Sequence, residues 1–80
     1  MELQLIDGSF PRNEMLDILT QMIDVKIRYH ESKIDQSVNE DDIKMREKKI
    51  RSLQNDLFQV RIALSKLDQV QASASVVIGN

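Results

Sequence analysis

Apolar residues recur with two different spacings along this chain of 80 residues, and the change of spacing marks its elements. In "ELQLID" Leu3 and Leu5 alternate with polar neighbours, the period of a half-buried strand. Residues 1–8 therefore read as a short strand ending in a turn at Asp7-Gly8. From residue 12 the spacing becomes helical. At about 100° per residue, Met15, Leu16, Ile18, Leu19, Met22, Ile23, Val25, Ile27, Tyr29 and Ile34 cover an arc of roughly 200° on a helix over 12–35. An ordinary surface helix carries a stripe of about 100°, so this one calls for more than one neighbour. Pro11 suits its first turn, and both Ser9 and Asn13 are capping candidates.

"QSVN", residues 36–39, reads as the connection to a second helix over 40–71. Asn39 is a good N-cap residue, and Val38 and Ile43 hold the positions of a hydrophobic staple. Along this helix Ile43, Ile50, Leu53, Leu57, Val60, Leu64 and Leu67 form a heptad seam, interrupted by Arg46. Met45, Phe58 and Ile62 lie off the seam and widen the apolar face. In the tail, "ASASVVIGN" (72–80), the β-branched run Val76-Val77-Ile78 suits a short strand, with a frayed end as the alternative. An up-down hairpin returns the tail to the starting end, where "LQLI" and "SVVI" could lie side by side.

These patterns predict one domain over 1–80 of the all-α class: an antiparallel two-helix hairpin, coiled-coil-like, with short terminal strands as an option. Two helices do not cover both apolar faces, so the hairpin is expected to dimerise into a four-helix bundle through isologous contacts. Leu16, Leu19, Ile23, Ile50, Leu53, Leu57, Val60 and Leu64 are the expected core, with Leu67 closing the seam. Phe58 and Ile62 are the expected surface between protomers. Met15, Met22 and Met45 could form an adaptable binding face, but core filling is the better reading because they align with Ile and Leu.

Composition narrows the chemistry. There is no cysteine and a single histidine, which excludes disulfides, thiolate metal sites and a His-rich metal site. A domain this small then needs another support, and oligomerisation remains. The net charge is -2, against the strongly basic balance usual in nucleic-acid binders. No secretory leader and no run long enough for a membrane span is read, so the expected setting is the cytoplasm, without membrane contact.

Five basic residues, Lys44, Arg46, Lys48, Lys49 and Arg51, crowd the start of the second helix. A basic segment running into leucine heptads suggests a DNA-binding zipper. Here, however, Ile50 and Leu53 already belong to the seam, the basic residues spread around the helix, and no asparagine lies among them to read bases. A solvated helix face explains them better, because Glu40 and Lys44, Asp42 and Arg46, and Glu47 and Arg51 are spaced i, i+4 with the acid first. His30 opens "HESKI", but the second histidine of a zinc-protease helix is replaced by Ile34. His30 reads as a boundary residue beside the apolar arc. No nucleophile–base pair, carboxylate dyad or glycine-rich phosphate loop is recognisable, so no catalytic, cofactor or metal residues are assigned and no enzyme is expected.

"LIDGSF" followed by "EMLDILTQMIDVKIRYHESKI" resembles the opening of short uncharacterised bacterial proteins that begin Leu-Ile-Asp-Gly-x-Phe. The resemblance covers roughly the first 34 residues. It implies a bacterial cytoplasmic helical hairpin and brings no activity or functional residue. The leading expectation is thus a non-enzymatic protein–protein interaction module, a scaffold, adaptor or regulator, acting as a homodimer. A nucleic-acid-associated regulator using Lys44–Arg51 and a small subunit of a larger complex with another protein are the alternatives.

Overall fold

The computed structural model describes residues 1–80. Its elements run β1 (Glu2–Pro11), α1 (Arg12–Gln36), α2 (Glu40–Leu64) and β2 (Gln69–Val77). The fold is therefore α+β, which corrects the all-α class read from the sequence: the termini form a full antiparallel ribbon in the order β1-β2. The second helix stops at Leu64 and does not reach residue 71. From Gln69 to Val76 polar and small or apolar residues alternate strictly, which buries every second side chain on a ribbon and would waste half of them on a helix.

Three local expectations also change. Asp7-Gly8 makes no turn; β1 runs through it to Pro11, with Gly8 at φ 137° opposite Ala72. That backbone region strains any residue with a Cβ. Neither Ser9 nor Asn13 caps α1; Pro11 occupies the N-cap position without a side-chain bond. Instead, the Arg12 N–H donates to the Asp68 carbonyl at 3.1 Å, and its guanidinium donates to the carbonyls of Ser65 and Leu67 at 3.3 and 3.2 Å. Arg12 thus holds the turn by which α2 gives way to β2. At α2 the Asn39 side chain does cap, accepting from the N–H groups of Asp41 and Asp42 at 2.9 and 3.1 Å. The staple does not form, because Val38 is 101% exposed.

The ribbon has one apolar and one polar face. Ile6 pairs with Ala74, Gly8 with Ala72 and Phe10 with Val70, while Asp7, Ser9 and Pro11 pair with Ser73, Gln71 and Gln69. A register irregularity between Gln4 and Ile6 sets Leu3 opposite Val76. This absorbs one residue, so Leu3 joins Val76 on the apolar side; an unbroken register would have placed Gln4 there.

Each element gives one side chain to the centre of the core: Ile6 from β1, Met15 from α1, Leu64 from α2 and Val70 from β2. Met15 is the most enclosed, at 1% exposure. Phe10, Leu16, Ile18, Leu19, Met22, Val60, Ala72 and Ala74 pack around them, half-buried. Burying a side chain of this size stabilises by about 1.5–3 kcal/mol, so this junction carries most of what the monomer gains from apolar burial.

A candidate interaction surface

The molecule measures 45 × 32 × 14 Å. Its radius of gyration is 15.2 Å, whereas a compact chain of this length has about 12 Å. Its accessible surface is 6206 Å²; a folded monomer of this mass usually exposes ~5,000 Å². The excess of about 1,200 Å² is more than the ~800 Å² that one partner contributes to a standard interface.

Much of the uncovered surface is apolar. On α1, Met15, Ile18, Met22, Val25 and Tyr29 are spaced to share one stripe. The first three pack into the junction core, while Val25 and Tyr29, further along, are 63% and 55% exposed. The ribbon likewise outruns its support, leaving Leu3, Leu5, Val76 and Val77 exposed. On α2 the exposed residues are Met45, Phe58 at 58%, and Ile62. Both long edges of a two-stranded ribbon also carry backbone groups free to pair.

The seam between the helices is only half closed. Ile23, Ile50, Leu53 and Leu57 are half-buried, as are Leu16, Leu19 and Val60, and of the expected packing positions Leu64 alone is buried. Leu67 lies beyond α2 and is exposed. Near the hairpin's closed end the seam becomes polar. His30 is 9% exposed, not a boundary residue, and its Nδ1 accepts from Arg46 Nη1 at 3.1 Å. A guanidinium only donates, so Nδ1 is the unprotonated nitrogen and Nε2 carries the proton. Arg46 also donates to Asp42 Oδ2 at 3.3 Å, and Tyr29 lies edge-on to the His30 ring. Burial lowers the pKa of His30, and the charges of Arg46, Lys49 and Lys26 lower it further. The interrupted heptad at Arg46 is thus filled by a cross-helix polar pair. The isolated charge in the seam was its signal; a partner from α1 was not foreseen.

The remaining basic residues do not gather into one surface. Lys44, Lys48 and Arg51 are exposed and Lys49 lines a cleft beside His30. Of the three acid–base spacings on α2 only Asp42–Arg46 closes into an ion pair. No helix is long and apolar enough to cross a membrane. No protein-family profile, curated relative or solved structure matches the chain.

Proposed function

We propose that this protein is a non-enzymatic protein–protein interaction module that works as a homodimer, burying its uncovered helix surfaces against a second copy. One observation carries this reading: the α1 stripe is covered as far as Met22 and open at Val25 and Tyr29, in a monomer with about 1,200 Å² more surface than its mass requires. Sidewise packing of two hairpins would extend the half-closed seam around Leu57 and cover Phe58 and Ile62, giving a four-helix layer flanked by the ribbons. Exposed apolar side chains of this size are typical anchors of helix-mediated recognition.

The test is absolute mass in solution by light scattering across a concentration series. The expected result is a dimer near twice 9.3 kDa. Val25→Glu and Phe58→Glu, both at exposed positions, are expected to lower the mass to the monomer while helicity is retained. A wild-type monomer at all concentrations, or variants that stay dimeric, overturns the reading. Stoichiometric co-purification of a different chain would transfer the surface to a heteromeric partner.

A further inference from the structure

We propose that the cleft lined by Lys26, His30, Lys49 and Ser52 binds a small oxyanion, a phosphate or a carboxylate. The cleft has a volume of about 390 Å³ and lies across the hairpin seam, with Leu53 and Asp56 completing its wall. Lys26 comes from α1 and Lys49 from α2, so each helix contributes one lysine to the cleft wall. Neither takes part in an ion pair. Like charges set across a seam repel, and Asp56 is the one acid in the cleft wall to offset them. An anion between them would turn this repulsion into attraction.

The neutral donors converge on the same place. Arg46 fixes the His30 tautomer, which leaves an N–H at Nε2. No side-chain hydrogen bond engages that N–H or the Ser52 hydroxyl, and both are reached by solvent, because no enclosed side-chain polar atom is left without a partner. The Arg46 hydrogen bond and the edge-on Tyr29 ring both hold the His30 ring, which restricts its orientation. Burial is the first cause of the lowered His30 pKa, and the nearby cations Arg46, Lys49 and Lys26 add to it. Ammonium groups, an imidazole N–H and a hydroxyl together match the acceptor-only oxygens of phosphate or carboxylate. Asp56 opposes an anion, which limits affinity and gives the proposal a signed prediction. The oxyanion has two possible sources, a free phosphate group or an Asp or Glu side chain of a second copy.

The experiment titrates inorganic phosphate into the full chain at constant ionic strength, with chloride as compensating anion, and follows the His30 ring protons by NMR. The expected result is a saturable shift with a rise in the His30 pKa, weakened at least tenfold in the K26A/K49A double variant. Asp56→Asn is expected to tighten binding severalfold, an opposite response that damage to the fold would not produce. If the His30 signal is insensitive to phosphate but moves with protein concentration in parallel with mass, the oxyanion is a carboxylate of the second copy. A shift that is linear in phosphate, or that persists unchanged in K26A/K49A, overturns the site, as does a signal that responds to neither phosphate nor protein concentration.

Discussion

The two ends of the helical hairpin are held by different physics. At the open end four elements meet, and Ile6, Met15, Leu64 and Val70 exclude water from one another. At the closed end only α1 and α2 are present, and the seam there is a polar layer of His30, Arg46 and Asp42 below the Asn39 cap. The difference follows from the ribbon. Two helices alone make a line of contact, with water on both sides; His30 is the one side chain buried there, and every buried apolar side chain lies where the ribbon adds a further layer. The ribbon supplies that layer over the first turns of α1 only. Beyond it, apolar residues such as Val25 stay open, and hydrogen bonds fix register where burial is incomplete.

Removing apolar volume should separate the two ends most sharply. Met15→Ala is expected to cost about 2–5 kcal/mol, as for other enclosed Met or Leu side chains. Leu53→Ala, in the half-closed seam, is expected to cost roughly half of that or less. Urea denaturation followed by circular dichroism measures both, and equal losses would show that the two ends are enclosed alike in solution.

The ribbon's own contribution is read at Gly8. A Cβ there meets nothing within 4 Å, so the cost of Gly8→Ala is backbone strain alone. A residue in such a sparsely populated region costs about 1–3 kcal/mol. A neutral outcome in the same denaturation assay would mean that β1 is not held at that φ.

At the closed end Asn39→Ala is expected to cost about 1 kcal/mol by releasing the N–H groups of Asp41 and Asp42. Local hydrogen exchange at these two amides would report the loss.

Acid should also act at the closed end. The folded state holds the His30 pKa below its usual value near 6.5, so folding favours the neutral ring. The stability that depends on a neutral His30 is complete above pH 6.5 and declines as the pH falls towards the lowered folded pKa. Urea midpoints should therefore drop between pH 7.5 and 5.5. His30→Gln, which keeps an acceptor for Arg46, should flatten the profile; an unchanged profile removes His30 from the account. Least of all is expected from Asp24→Ala, which breaks the exposed pair with Arg28 and should change stability by no more than ~0.5 kcal/mol.

Both helices, the connection between them and the Asn39 cap were legible in the sequence because each follows from neighbours three or four residues apart. Propensity, capping and 3.6-residue periodicity act within one or two turns. The wide apolar arc on α1 was legible for the same reason, and with it the need for more than one neighbour. The strand β2 carried a signal too, the alternation from Gln69 to Val76, but residues 72–75 are alanine and serine, whose small side chains bury little on either face. What converts that weak pattern into strand is its partner: β1 pairs with it from Pro11↔Gln69 to Glu2↔Val77, far apart in sequence, and only closure of the hairpin brings it alongside. Tertiary structure alone also decided that His30 meets Arg46, that Arg12 holds the turn into β2, and that Gly8 lies within a strand. Each of these depends on a group distant in the chain, whose position no local spacing encodes. The sequence determines which faces are apolar; packing decides which of those faces remain open.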